Sequence, residues 1–201
     1  MPQESLIYLT KVGEEIGQVV DDLAALRIRV FRDFPYLYDG SFDYEKDYLK
    51  PYTQSERSFL FAVYHGQQMV GATTGLPLVD EMLEIRQPFE RAPYDLTTIF
   101  YFGESLLLPE FRGQGIGHRF FDEREAFARS FHAYTLACFC SVDRPDDHPA
   151  RPANYRPNDG FWLKRGYRKE PALKATLTWP DIGEDTASPK SMLFWTKKLK
   201  E

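Results

Sequence analysis

The sequence predicts an α/β or α+β fold in which helices pack on a mixed β-sheet. The chain of 201 residues is long enough for one domain with a sizeable core. Strand-like and helix-like apolar patterns alternate along it in the order β-α-α-β-β-β-α-β-α-β-β. A glycine-rich turn past the middle of the chain joins a strand to a helix. We find no repeat and no interdomain linker, and we therefore expect residues 1–201 to form a single domain.

The first part of the chain predicts a strand, two helices and a hairpin. Apolar side chains recur at helical spacing in the first helix, and Pro35 is expected to end it. Pro51 is expected to stop the second helix in the same way. A Gly-containing turn separates the last two strands, which is typical of a hairpin. The predicted elements are a strand over 5–10, helices over 14–31 and 44–49, and strands over 59–64 and 69–74.

The second part of the chain predicts four further strands and two helices. Residues 76–95 contain three prolines and are expected to be irregular or briefly helical, and residues 143–158 form a proline-rich loop. Gly166 is expected to end the last helix. The predicted elements are a strand over 97–108, a helix over 117–130, a strand over 134–142, a helix over 161–165 and strands over 174–179 and 192–199.

Composition excludes several classes of protein. The net charge of −5 lacks the basic footprint of a nucleic-acid binder and favours a neutral or cationic partner. No apolar run approaches the roughly 20 residues of a membrane span, and the N-terminus does not resemble a signal peptide. Cys138 and Cys140 would point to one face of a strand, too close together to bridge, and we expect them to be small buried side chains. We therefore expect a cytoplasmic protein without a membrane partner.

The turn that follows the strand at 97–108 is the segment most informative about function. Three glycines in five positions, from Gly113 to Gly117, leave backbone amides bare at the start of a helix. Free N–H groups and the positive end of the helix dipole together form an anion site, so we expect a phosphate or pyrophosphate ligand. No Walker A string is present, and a dinucleotide G-x-G-x-x-G fails because His118 and Phe120 occupy the sixth positions.

The remaining pattern is R-x-x-G-x-G, formed by Arg112, Gly115 and Gly117. It resembles the pyrophosphate-binding motif of the GNAT superfamily of acyl-CoA-dependent N-acyltransferases. The stretch from Asp159 to Tyr167 is similar to the late helix of that family, and the element order matches over residues 5–199. The resemblance implies a central mixed, mostly antiparallel sheet with a splayed pair of parallel strands and with helices on both faces.

The resemblance also implies an activity and a cosubstrate. The enzyme would transfer an acetyl group from acetyl-CoA to a primary amine of a small molecule or peptide, by direct attack in a ternary complex. No metal would take part, and a homodimer is possible for such a protein. Backbone groups near Leu107 would hold the pantetheine arm and polarise the thioester carbonyl. The implied coenzyme-binding residues are Leu106, Leu107, Leu108, Arg112, Gly113, Gln114, Gly115, Ile116, Gly117 and His118.

Two residues are candidates for proton transfer. Glu104 precedes Leu107 by three positions, where the family often carries an acid, and aromatic neighbours would raise its pKa as a general base requires. A surface or salt-bridged glutamate is the alternative. Many relatives protonate the leaving thiolate with a tyrosine where this chain has Trp162. Tyr155 is therefore the candidate acid, with Tyr167 as a second possibility, although tyrosines at such positions more often serve packing.

The acceptor amine is expected near the end of the first helix. Asp33, Tyr36 and Tyr38 supply an acid and aromatic faces that would suit a cation. A solvated loop with buried tyrosine rings is the alternative. The acidic loop after the strand at 134–142 lacks the glycine and distal glutamate of a calcium loop, and we expect no metal.

Two other functions compete with acetyl transfer. A CoA-binding sensor or regulatory module of the same fold would keep the phosphate turn and lose catalysis, which Trp162 favours slightly. An unrelated nucleotide-binding α/β protein is the third possibility. Turnover of acetyl-CoA separates the first two functions, and binding of CoA against NAD and ATP tests the third.

Overall fold

The computed structural model describes residues 5–199, which form one mixed sheet surrounded by helices. The strands of this part of the chain are β1 (Leu6–Val12), β2 (Phe59–His65), β3 (Gln68–Pro77), β4 (Ile99–Tyr101), β5 (Ser105–Leu107), β6 (Leu136–Val142), β7 (Arg168–Trp179) and β8 (Ser188–Lys198). The α-helices are α1 (Val20–Phe31), α2 (Phe42–Tyr48), α3 (Lys50–Gln54), α4 (Leu83–Glu90), α5 (Ile116–Ser130) and α6 (Asp159–Lys164).

The sheet confirms the predicted fold class. Its strand order is β1-β2-β3-β4-β6-β8-β7, and β5 pairs separately with β3. Over residues 5–199, β4 and β6 run parallel, and the other paired strands are antiparallel. The parallel pair needs a crossover, which α5 supplies between β5 and β6.

The strand expected over 97–108 is interrupted, and this correction matters for function. β4 pairs with β6 at three positions, Ile99 to Tyr101, and the Phe102 N–H still donates to the Cys138 carbonyl at 2.7 Å. The chain then leaves β6, and β5 pairs with β3 instead. Gly103 lies at this break, where a Cβ atom would overlap the Tyr52 hydroxyl and the Thr74 side chain. The parallel pair therefore splays after Phe102 and leaves a gap beside β5.

Neighbouring side chains of β4 and of Phe102, the residue after it, show that helices cover both faces of the sheet. Phe100 and Phe102 pack against Phe127 and Phe121 of α5, respectively. Tyr101, which points to the opposite face because strand side chains alternate, lines a cavity beneath α1 and α2. The face that carries α5 and the face that carries α1 and α2 are therefore opposite sides of one sheet.

Several local predictions are confirmed and two need correction. The first helix begins with a 3-10 segment (Gly13–Val19), so that regular α-helix starts only at Val20. Pro51 does not stop a helix; it lies in the first turn of α3, where its missing N–H costs nothing. Gly166, at φ +87°, ends α6 as expected.

The interior is rich in aromatic rings and contains both cysteines. Cys138 and Cys140 are buried free thiols on one face of β6, as predicted, and the Tyr101 hydroxyl lies 3.2 Å from the Cys140 sulfur.

Among residues 5–199 no helix combines the length and the apolar character that crossing a bilayer would require.

Candidate active site

The glycine-rich turn adopts a backbone conformation that requires glycine at two positions. Gly113 has φ +78° and Gly115 has φ +82°, both in the left-handed region. Helix α5 begins directly afterwards at Ile116. A Cβ atom added at Gly113 or Gly115 would meet no atom within 4 Å. The turn is therefore open on its outer side and is not filled by its own side chains.

The amides of this turn are free to bind a ligand. The first helical hydrogen bond of α5 runs from the Arg119 N–H to the Gly115 carbonyl, at 3.2 Å. Within residues 5–199, none of the backbone N–H groups from Gly113 to His118 donates to a protein acceptor. These N–H groups lie at the positive end of a 15-residue helix. Such an arrangement of free N–H groups at a helix N-terminus can bind an anion.

Strand β5 directs a backbone edge into the gap beside the turn. The Leu108 N–H donates to the Val70 carbonyl of β3 at 3.0 Å. Because antiparallel bonding alternates along a strand, the amide and carbonyl of Leu107 face the opposite edge. The Leu107 carbonyl accepts from the Arg112 Nε at 3.1 Å, so the arginine braces the turn against β5. The Leu107 N–H faces the gap left by the splayed strands.

A buried charge cluster lies on the other side of the strand break. Glu104 and Glu45 share the Arg27 guanidinium, and all three residues are at most 5% exposed. Arg27 Nη1 lies 2.8 Å from Glu104 Oε2, and Arg27 Nε donates to Glu45. The guanidinium carbon also lies 4.0 Å from the ring centroid of Tyr48 and 5.0 Å from that of Phe31. Helix α1 supplies the arginine, α2 one glutamate, and the strand break the other.

The Glu104 carboxylate is incompletely satisfied by the protein. Its contact with Arg27 is an ion pair without hydrogen-bond alignment, and neither of its side-chain oxygens has a hydrogen-bond partner among the described residues. Desolvation raises the pKa of Glu104, and attraction to Arg27 opposes this shift without cancelling it. Burial acts to lower the pKa of Arg27, but the two carboxylates more than offset this effect and raise it. Arg27 therefore stays charged, while Glu104 is a carboxylate that gains from binding a proton or a cation.

A cavity of about 60 Å³ opens beside Glu104. It lies at the strand break, where Gly103 leaves space and β6 has separated from β5. Its walls are mainly aromatic, and among its lining residues Arg27 and Glu104 are the charged ones. The lining residues are Arg27, Phe31, Tyr36, Tyr38, Tyr44, Tyr48, Tyr101, Gly103, Glu104, Cys140, Leu177, Trp179 and Met192.

Arg144 fixes the wall that carries Tyr36. Its guanidinium forms a two-pronged ion pair with Asp181, at 2.7 and 2.8 Å, and also donates to the carbonyls of Pro35 and Tyr36 at 2.9 Å. The Trp179 Nε1 donates to the same Tyr36 carbonyl at 3.1 Å. The segment after α1 is thereby tied to the hairpin of β7 and β8, and the aromatic wall is held in place.

The structure brings together only some of the residues predicted for catalysis and acceptor binding. Tyr36 and Tyr38 line the cavity with Glu104, whereas Asp33 is exposed and does not line it. Tyr155 is half-buried and packs edge-on against Phe34, with ring centroids 4.7 Å apart. It lies outside the cavity lining. The roles assigned to these residues stay predictions.

The aromatic residues near the expected acid position serve packing. Trp162 lies 5.0 Å, between ring centroids, from both Phe139 and Trp195. The Tyr167 hydroxyl is buried and donates to Glu125 at 3.1 Å. Tyr167 is therefore occupied, and Tyr155 is the more accessible of the two tyrosines considered.

Sequence reasoning missed most of the charge cluster. Arg27 and Glu45 come from separate helices, and nothing in their local sequence shows that they meet. One signal was available: Arg27 lies four residues from Leu23 and from Phe31, on the apolar face of α1, where an arginine needs a buried partner. For Trp179 and Tyr48, no comparable pattern in the sequence indicates that their rings line the cavity.

Aspartates of the acidic loop after β6 form ion pairs with basic side chains of the protein. Asp143 pairs with Lys174 at 3.5 Å, and Asp146 pairs with Arg151 at 2.8 Å. Over the described range 5–199, no group of three or more His, Cys, Asp or Glu side chains is placed to hold a metal ion. The expectation of metal-free chemistry remains an expectation.

The family of the chain follows from comparison with known proteins. The model of the acetyltransferase (GNAT) family matches residues 23–153, more than half of the chain. The chain therefore belongs to the GNAT acetyltransferase family, which confirms the resemblance carried by Arg112, Gly115 and Gly117. No curated protein matches it.

Solved structures share the fold at low sequence identity. The ribosomal-protein-alanine N-acetyltransferase from Brucella melitensis is 13% identical, with 94% of this chain and 99% of that chain covered and a TM-score of 0.57. The yncA protein of Salmonella typhimurium, solved with its cofactor acetyl-CoA, is 8% identical over 96% and 95% of the chains, with a TM-score of 0.57. An aminoglycoside 6'-N-acetyltransferase complexed with coenzyme A is 14% identical over 96% and 98%, with a TM-score of 0.55.

Proposed function

We propose that this protein transfers the acetyl group of acetyl-CoA to a primary amine of a small molecule or peptide. The observation that carries the proposal is the run of unbonded amides from Gly113 to His118, which lies next to a strand pair that splays towards Glu104. An anion site, a gap for an extended chain and a buried carboxylate thus follow one another in space. Neighbours of the same fold are solved with acetyl-CoA or coenzyme A, which supports the cosubstrate.

In this proposal the backbone holds the cosubstrate. The free amides of the turn would bind the diphosphate, and the backbone of Leu107, on the open edge of β5, would bond the pantetheine arm. Acetyl-CoA supplies an activated thioester. The Leu107 N–H, which faces the gap, would donate to the thioester carbonyl oxygen as negative charge develops on it. The turn fits this role because a Cβ atom at Gly113 or Gly115 would meet open space.

Proton transfer in this proposal begins at Glu104. An amine is protonated at neutral pH and must lose a proton before its nitrogen can attack. The Glu104 carboxylate, whose pKa desolvation raises, would take that proton. A thiolate leaves, and Tyr155 would protonate it; a thiol of pKa about 8.5 can also leave without a dedicated acid.

The test measures turnover of acetyl-CoA with a panel of primary amines, and release of the free thiol is the measured quantity. Calorimetric titration of CoA, NAD and ATP accompanies it. We expect CoA to bind, NAD and ATP not to bind, and at least one amine to release thiol. CoA binding without turnover on any amine would favour the sensor or regulatory module, and preference for NAD or ATP would favour an unrelated nucleotide-binding protein.

A further inference from the structure

The buried cluster beside the cavity carries an uncompensated negative charge. Arg27 contributes one positive charge, and Glu45 and Glu104 contribute one negative charge each, so these three ion-paired side chains sum to −1. The buried Arg124 of α5 also attracts Glu104, but more weakly than Arg27 does. One oxygen of Glu45 and both oxygens of Glu104 are buried without a hydrogen-bond partner in the described part of the chain. A buried carboxylate in this state is costly unless a cation or a proton completes it.

The cavity beside this cluster is built for a cation. Its walls include the rings of Tyr36, Tyr38 and Tyr44, and aromatic rings of this kind attract positive charge. The one cation in the lining, Arg27, is already engaged by two carboxylates and two ring faces. Arg27 is thus not available to a carboxylate of the acceptor, and an acceptor carboxylate would lie against Glu104.

The space beside Glu104 has room for a short chain, and the cavity opens to solvent beyond it. A cavity of about 60 Å³ holds about four water-sized groups, at roughly 15 Å³ each. Four such groups correspond to a short unbranched chain that ends in an ammonium group. A branched or ring-bearing amine would need the walls to move, and the bonds of Arg144 and Trp179 to the Tyr36 segment oppose this.

We propose that the cavity takes the unbranched alkylammonium end of an acceptor that carries no carboxylate near its amine, such as an alkylamine or an alkyldiamine. This inference rests on the proposed function and narrows its acceptor class. Amino acids that present a carboxylate within a few atoms of the amine are excluded by charge, and bulky amines by volume. The ammonium group of the acceptor neutralises the net negative charge of the cluster and delivers its proton to Glu104.

Three probes of similar length separate charge from size: butylamine, 1,4-diaminobutane and 4-aminobutanoate. Their affinities for the protein saturated with CoA are measured by calorimetry. We expect 4-aminobutanoate to bind at least about tenfold more weakly than the other two, because its carboxylate meets Glu104. If butylamine binds no more tightly than 4-aminobutanoate, the inference is overturned.

Substitution of a single carboxylate tests whether the charge of the cluster is responsible for amine binding. Glu45→Gln brings the cluster to zero net charge without altering Glu104, and we expect it to weaken butylamine binding at least about tenfold. Glu125→Gln is the matched control: Glu125 is also buried and ion-paired, with Lys197, but lies on α5 at the opposite face. It should leave amine affinity unchanged. Equal affinities in the wild type and Glu45→Gln would contradict the inference.

A substitution in the cavity wall tests the inference if the Glu45→Gln variant fails to fold. Tyr44 lines the cavity and is 44% exposed, so Tyr44→Leu should fold, and loss of one cation–π face should weaken amine binding about two- to fivefold. Unchanged affinity would place the amine elsewhere. Titration with CoA distinguishes failure of the proposed function from failure of the acceptor class. If CoA does not bind, the proposed function fails. If CoA binds but 4-aminobutanoate binds more tightly than butylamine, only the acceptor class is overturned.

Discussion

Substitution of Gly115 by aspartate tests the phosphate site most directly. Gly115 has φ +82°, its Cβ would point into open space, and the free amides of the turn surround it. We take a separation of about 5 Å between that carboxylate and a bound diphosphate as an order-of-magnitude distance for two groups in one turn. At an effective dielectric constant of about 20, each pair of unit negative charges at that distance costs about 3 kcal/mol. Affinity for CoA should therefore fall by more than about 100-fold.

Gly183→Asp is the matched control for backbone strain. Gly183 has φ +89° and equally open surroundings, but it lies in the turn between β7 and β8. Both substitutions place an L-residue in the left-handed region, at about 1 kcal/mol, and should lower Tm by about 2–4 °C. Only Gly115→Asp should also lose CoA.

Isothermal titration with CoA is the assay, and Gly115→Ala separates charge from shape. The alanine variant carries the strain without the charge, so its CoA affinity should lie between those of the wild type and Gly115→Asp. Retention of affinity by Gly115→Asp to within about threefold would refute the phosphate assignment. An equal loss of CoA binding in Gly183→Asp would show that strain, and not charge, is responsible.

Three further predictions use single conservative substitutions. Glu104→Gln should lower kcat at least about tenfold with unchanged CoA affinity, and unchanged kcat would remove Glu104 as the base. Tyr155→Phe should lower kcat without changing the KM for acetyl-CoA; equal kcat values would show that the thiolate leaves unaided. Burial raises the pKa of Glu81 to about 7, so the folded state holds a proton that the unfolded state loses near pH 4.5. Glu81 should lower stability by up to about 3 kcal/mol as the pH rises from 4.5 to 7, and denaturation of Glu81→Gln should show a smaller fall than the wild type, with the remainder from Glu104, whose pKa is also raised.

The conformation of the glycine-rich turn could be predicted from sequence because its determinants are local. Gly113, Gly115 and Gly117 lie within five positions, and the strand before them and the helix after them are strongly patterned. In the proposed function backbone amides bind the anion, so the spacing of glycines already describes the geometry of the turn. Helix α5 begins at Ile116, within one residue of the prediction.

The strand break could not be predicted in the same way. Residues 97–108 are aromatic and β-prone throughout, and local propensity favours one continuous strand. What interrupts it is tertiary: Tyr52 and Thr74 occupy the space that a side chain at position 103 would need. Gly103 was the only local sign, and a single glycine within a strand has several possible meanings.

The same distinction explains why the acceptor has to be inferred from this chain and not from its relatives. Neighbours with 8–14% identity share the fold, which is a property of the backbone. The cavity walls come from α1, α2, the strand break, β6 and the β7–β8 hairpin, and their side chains meet only in the folded protein. A fold that holds its coenzyme through backbone groups leaves those side chains free to vary. The acceptor class proposed above therefore rests on Arg27, Glu45 and Glu104, which only the folded chain brings together.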